Sequence, residues 1–238
     1  MSTAMTLSGH DRSHDCADDR AGNVTRSLLG WLTLAGPTYL IVSVVQGLSR
    51  PGFDFARHDR SLLAVGHLGW IQMVNLILVG AMMIVGGFGV RGALGDGHRA
   101  GRWTPRLLAC YGAGLVLAGI FKADPANGFP VGTPPGRARH VSWHGTLHVA
   151  FAAAGFACLV AACFMIAGMH ARRGEPVRAW LDRGVGVLFL FAFAMVATGS
   201  AASWIVLLFA AAVIVSFGWI SALAVEMYRR TRTEGLPR

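Results

Sequence analysis

The sequence predicts an all-α fold, a polytopic bundle of six transmembrane helices with its N-terminus and C-terminus both cytoplasmic. Three features lead there. Of the 238 residues 54% are hydrophobic and only 14% are charged. Soluble domains average about 25% charged residues, so this chain cannot clothe a water-soluble globule. The charges gather in short blocks between long uncharged stretches, and an apolar run of about 18 residues or more reads as a transmembrane helix. Arginine and lysine are dense in alternate loops, which sets orientation.

Residues 1–26 are polar, mixed in charge and without the apolar core of a signal peptide. They are expected to form a disordered cytoplasmic tail, in which His10 and His14 are solvated. The first span covers about 27–48, with Pro37 near its middle as a kink. "SRPGFDFARHDRSLLAVGH" then reads as an outer loop with a short helix on the membrane surface. The second span, about 68–90, carries Gln72 and Asn75 almost one turn apart, amides suited to hydrogen bonding across to a neighbouring helix.

The third span, about 107–121, is short, and Arg106 and Lys122 flank it as snorkelling residues. The proline- and glycine-rich "KADPANGFPVGTPPGRAR" must be a loop. In the fourth span, about 144–169, Ala150, Ala154 and Cys158 recur every four residues, as do Ala153, Ala157 and Ala161. Such small-residue stripes mark close helix packing. No residue from Gly184 to Val225 is charged, too long a run for one span. A break at "TGSAAS" divides it into spans of about 184–200 and 204–225. The transmembrane domain is thus 27–228, and 229–238 is a second cytoplasmic tail.

With the N-terminus inside, the cytoplasmic segments hold Arg12, Arg20 and Arg26, then Arg91, Arg99, Arg102 and Arg106, then Arg172, Arg173, Arg178 and Arg183, and finally Arg229, Arg230, Arg232 and Arg238. The outer segments hold Arg50, Arg57, Arg60, Lys122, Arg137 and Arg139. The larger set lies inside, as the positive-inside rule requires. The net charge of +9 therefore reflects topology. No basic stripe with interleaved aromatics is present, so no nucleic-acid partner is expected. Four cysteines without C-x-x-C spacing give no disulfide framework.

This orientation gathers His58, His67, His140, His144 and His148 on the outer face with Asp54, Asp59 and Asp124. A fourth helix beginning by His140 would align its three histidines on one stripe, with His140 and His148 about 12 Å apart along the axis. One metal cannot reach both of those. His144 and His148, at i and i+4, could share a zinc ion, with Asp124 or His67 as candidates for the third ligand. Gly145 stands where a metalloprotease helix carries glutamate. The same histidines could equally form a hydrogen-bonded polar cap or meet lipid headgroups. A haem held between His67 and His144 or His148 has only its axial ligands to support it. Arg50, Arg57 and Arg60 could grip a lipid phosphate. Glu226, beside Arg229 and Arg230, reads as helix-end pairing.

Three blocks, "SRPGFDFARHDRSLLAVGHLGWIQ", "YGAGLVLAGIFKADPANGFPVGTP" and "VSWHGTLH", occur in this order. On them the chain resembles the bacterial integral membrane family called domain of unknown function 998, over roughly residues 28–230. The resemblance implies a six-helix integral membrane protein. It places the family's recurring residues at Arg50, Gly52, Phe53 and Asp54, at Ser61 and Leu62, at Asp124 and at His144. Relatives often carry an acidic residue where this chain has His67.

Together these residues suggest an outer-face pocket of Asp54, Asp124, His144 and His148 that binds a membrane lipid or isoprenoid-like ligand, with Arg50, Arg57, Arg60 and Trp143 as ligand contacts. The alternative is a membrane-embedded enzyme on a lipid-like substrate. As a hydrolase it would use zinc on His144, His148 and Asp124 to activate water. As a prenyl cyclase, Asp124 or Asp54 would supply the proton while Trp70, Phe121 and Trp143 shield a carbocation. His144 would be catalytic in the hydrolase. Transport has less behind it, since the chain lacks repeated halves, although a homo-oligomer would restore them.

Overall fold

The computed structural model describes residues 7–136, 138, 140–199 and 202–233, with the backbone alone for 7–18. It contains six helices: α1 (Leu7–Ser49), α2 (Gly69–Leu94), α3 (Arg99–Ile120), α4 (Trp143–Arg172), α5 (Pro176–Ala197) and α6 (Ser203–Thr233). A 3₁₀ turn, Arg60–Ala64, interrupts the α1–α2 connection. All six helices are long and apolar enough to cross a membrane, so the chain is built as a multi-pass membrane protein. Each helix packs on the next, α6 returns to α1, and α2 touches α6 across the ring. The even number of crossings leaves both ends of the chain at one end of the bundle.

Tryptophan marks the boundaries of this bundle. Trp70, Trp143 and Trp204 start α2, α4 and α6, while Trp103 and Trp180 lie in the first turns of α3 and α5. All five are exposed. Because successive helices alternate in direction, the first three ring one end and the other two ring the opposite end. Amphipathic indole rings collect at such interfaces.

The helices run beyond the expected spans, and the reason is the same each time. Polar residues at the ends face outward or find partners, so helical periodicity outlasts the apolar run. The stretch expected as a disordered tail is helical from Leu7. There Thr25 is buried, and the Arg26 guanidinium donates to the Thr231 carbonyl at 3.3 Å. That contact also holds α6 helical through Thr233, within the expected second tail. Arg99, Arg102, Trp103 and Arg106 are exposed while Ala100, Gly101, Thr104 and Pro105 are buried. This makes 99–106 the first turns of α3 rather than a loop. The break at Thr198–Ser203 is where the sequence places it, although Ser200 and Ala201 lie outside the described residues.

Pro37 sits inside α1 and leaves the Thr33 carbonyl without its helical donor. The Ser221 hydroxyl of α6 donates to that carbonyl at 3.2 Å. In a membrane core, where water cannot take that place, such a substitute bond is what makes an interior proline tolerable.

The small-residue stripe expected to pack α4 is not its contact face. Ala154 and Ala157 are exposed, whereas Gly155, Leu159, Ala162, Cys163 and Ile166 are buried. The close approaches are made by glycines. A Cβ at Gly114 would stand 2.8 Å from the Gly155 Cα, and one at Gly80 would stand 2.5 Å from the Gly112 carbonyl oxygen. Absent side chains let α2, α3 and α4 meet backbone to backbone.

Candidate functional site

The polar residues of interest sit at the end of the bundle opposite the termini, where the connections α1–α2 and α3–α4 fold over the helices. Phe129 anchors the second connection. It is 0% exposed and packs with Leu62 and Val65, against which Phe53 and Ala126 also lie. The Arg50 guanidinium lies 4.7 Å from the Phe129 ring centroid and donates to the Leu63 carbonyl at 2.9 Å. His58 ties the two connections together. Its Nδ1 accepts from the Asp54 backbone N–H at 2.9 Å, so Nε2 carries the proton and donates to the Asn127 carbonyl at 3.0 Å. The α1–α2 connection therefore tucks Leu62, Leu63 and Ala64 into the protein instead of laying a helix on the membrane surface.

The structure gives most of the expected site residues architectural partners. Asp54 is exposed, and its Oδ1 accepts from the Ala56 N–H at 2.8 Å, closing a local turn. Helix α4 starts at Trp143, because Ser142 caps it by accepting from the Gly145 N–H at 3.0 Å. His140 therefore precedes the helix, and the expected three-histidine stripe shortens to His144 and His148. Asp124 Oδ2 accepts from the Ser142 N–H at 2.8 Å. Any Cβ at Gly145 would collide with that carboxylate, which explains why a glycine stands there. The buried His148 accepts no metal through Nδ1, which bonds the Ala118 and Phe121 carbonyls, each at 2.8 Å. These are carbonyls of the C-terminal turn of α3, groups that lack helical donors.

The ligand atoms of His144, His148 and Asp124 do not form one of the His/carboxylate groupings found among the described residues. No described contact joins His67, which is exposed, to His144 or His148, as a haem clamp would need. His144 is the histidine left available. Its ring lies 3.7 Å from the Trp143 ring and 5.8 Å from that of Phe121, and its Nδ1 is buried without a hydrogen-bond partner. Trp143 and Arg57 are exposed at the rim.

Beneath this roof lies a polar network between α1 and α2. Ser43 Oγ and the Gln72 amide exchange a 3.2 Å hydrogen bond. Asn75 Nδ2 donates to the Tyr39 carbonyl and to Gln72 Oε1, both at 3.2 Å. Gln46 Nε2 donates to the Leu68 carbonyl at 2.7 Å. The interhelical bonding expected of Gln72 and Asn75 is thus present. From above, the Asp59 carboxylate and Arg60 guanidinium come within electrostatic reach of the Tyr39 hydroxyl. Four polar atoms at this junction are buried without hydrogen-bond partners: Gln46 Oε1, Asp59 Oδ1, Arg60 Nε and Asn75 Oδ1. Burial pushes the Asp59 carboxyl up to about 6, with Arg60 and His58 pulling the other way.

The sequence signal for Gln72 and Asn75 recurs on the helix that they bond. Ser43 and Gln46 show the same i, i+3 spacing on the preceding span. Nothing local distinguishes Asp59 from Asp54, because the difference is that the fold half-buries Asp59 and leaves Asp54 exposed.

A sequence model described as "Protein of unknown function (DUF998)" matches residues 33–226. The chain belongs to the DUF998 family. The match begins within α1 and ends at Glu226, so it takes in the polar network, both connections at that end and nearly all of the bundle. No curated protein and no solved structure matches this DUF998 chain.

Proposed function

We propose that this DUF998 protein is an integral membrane protein that receives the polar headgroup of a lipid or isoprenoid-like ligand where α1, α2 and the Arg60–Ala64 turn meet. The observation carrying this reading is the set of unpartnered buried atoms there, the Arg60 Nε–H, one Asp59 carboxyl oxygen and the amide oxygens of Gln46 and Asn75. A buried polar group without a partner costs about 1–3 kcal/mol. Of the four, the Arg60 Nε–H can donate to a phosphate oxygen, while the three oxygens can accept from headgroup hydroxyls. Ligand contact in this reading centres on Arg60, with Trp143 and Arg57 at the rim, while Arg50 serves the roof. A membrane lipid is the natural source of such a headgroup.

A thermal-shift measurement in detergent tests this, with farnesyl phosphate and phosphatidylglycerol as probes. Ligand at 100 times its Kd stabilises a protein by about 2.7 kcal/mol, so one or both probes should raise the midpoint. Arg60→Gln should lose most of that shift, and Arg102→Gln, at the opposite end, should keep it. Equal shifts in all three proteins, or none, would remove the reading.

An enzyme acting on a lipid-like substrate is the second reading, and Asp59 favours it. A carboxyl that keeps its proton to about pH 6 beside a tyrosine is equipped to deliver that proton to a double bond, as prenyl cyclisation requires. Asp59 would then take the role that the sequence offers to Asp124 or Asp54.

A further inference from the structure

At the end of the bundle that carries the termini, α4, α5 and α6 enclose a second polar cluster. His170, in the last turn of α4, is 3% exposed, and Asp182 of α5 is 5% exposed. The Trp219 indole N–H, which can only donate, bonds Asp182 Oδ1 at 2.8 Å. Asp182 Oδ2 lies 2.7 Å from His170 Nδ1. An ionised carboxylate only accepts, so Nδ1 carries a proton and the neutral ring presents its lone pair at Nε2. That nitrogen is buried without a hydrogen-bond partner, while Glu175 Oε2 has only its ion pair with Arg178.

His170 Nε2 points between two carboxylates, 4.0 Å from Glu175 Oε2 and 3.8 Å from Glu226 Oε1. Arg178 pairs with both of these carboxylate oxygens from the outer side, so what lacks a partner is the His170 Nε2 lone pair that faces them. Two zinc ligands at tetrahedral angles stand about 3.4 Å apart, so these gaps need only a small contraction.

We propose that His170, Glu175 and Glu226 form a binding site for a divalent cation of the zinc class, with Asp182 as the positioning residue that fixes the histidine tautomer. The three ligand atoms lie within 4.8 Å of one another. A carboxylate behind a ligating histidine is the usual support for such a site, and three protein ligands leave one coordination position open. The carboxylates also hold two arginines. Arg178 Nη1 lies 2.6 Å from Glu226 Oε1 and 3.2 Å from Glu175 Oε2. Arg230 Nη2 lies 2.7 Å from Glu226 Oε1 and 3.4 Å from Glu175 Oε1. Their side chains are 48% and 34% exposed, so each can release a carboxylate to a metal and keep its own charge hydrated. The three carboxylates outnumber the two guanidinium groups, which leaves negative charge for the cation.

The test uses the full chain in detergent, stripped with chelator and titrated with zinc alone, with cobalt(II) giving a visible spectrum that reports tetrahedral nitrogen and oxygen ligation. The expected result is about one zinc per chain, a zinc-dependent rise in melting midpoint, and at least tenfold weaker binding in Glu226→Gln and Asp182→Asn. Glu226 lies at the rim, so its variant is the one expected to fold, and an unchanged elution volume checks this. Binding of equal strength in wild type and Glu226→Gln would mean an adventitious ion only and would overturn the site. So would a midpoint that follows pH and ignores zinc, which would assign the cluster to a protonated His170.

Discussion

His148 and Asp59 show how a single residue's role depends on what it meets. His148 has the spacing of a metal ligand from His144, yet its Nδ1 bonds two carbonyls at the end of α3. Those carbonyls belong to residues 27 and 30 positions earlier, so no local pattern announces them. Asp59 looks ordinary in sequence, and burial raises its carboxyl to about 6. The folded state therefore holds this proton more tightly than the unfolded chain does. Its favourable contribution is fully present below about pH 4 and is lost as the pH rises through about 6. Above that, the buried carboxylate is a constant penalty. Asp59→Asn should accordingly stabilise the detergent-solubilised protein by roughly 1–2 kcal/mol near pH 8 and change little near pH 4. Melting midpoints at the two pH values check this. A variant destabilised at both would show that the Asp59 carboxylate has a partner in the folded protein.

Between helices, the deciding contacts are made where side chains are missing. Gly80 and Gly112 each place a hypothetical Cβ 2.5 Å from the other's carbonyl oxygen. Gly80→Val must push α2 and α3 apart and should cost about 2–3 kcal/mol. Gly30→Ala offers the contrast, because nothing lies within 4 Å of its Cβ. Relief of a helical glycine there should be neutral or stabilising by up to about 1 kcal/mol. Unfolding of both variants in a denaturing detergent series measures the difference, and equal stabilities would mean that the glycine contact is not a constraint. Four-residue spacing made Ala150, Ala154 and Cys158 look like the packing face of α4. Spacing reports that residues share a face, but not which face meets a neighbour. Gly155, one residue along from Ala154, is the one buried.

For the molecule as a whole, the tryptophan rings fix where the boundaries lie, and the distribution of arginine bears on which side is which. The end carrying the termini also carries the arginines around α3 and α5, so positive-inside bias predicts that this end faces the cytoplasm. A C-terminal green fluorescent protein fusion should then fluoresce, and an alkaline phosphatase fusion at the same point should be inactive. The reverse pattern would invert the bundle, placing the Asp59–Arg60 junction on the cytoplasmic side and the His170 cluster outside.

The number of helices and the proline- and glycine-rich connection before α4 were legible in the sequence, because hydropathy and proline content are properties of neighbouring residues. The same holds for the pairing tendency of Gln72 and Asn75. Helix ends were less legible, since Arg26 needs Thr231 and no window along the chain contains both. The tertiary structure alone decided which polar residues meet. It chose Asp59 over Asp54 for burial, assigned Asp124 and His148 to helix ends, and brought His170 to Asp182, Trp219 and Glu226. Each of these outcomes is a contact between groups on different helices or loops, and a buried polar atom takes its meaning from its partner.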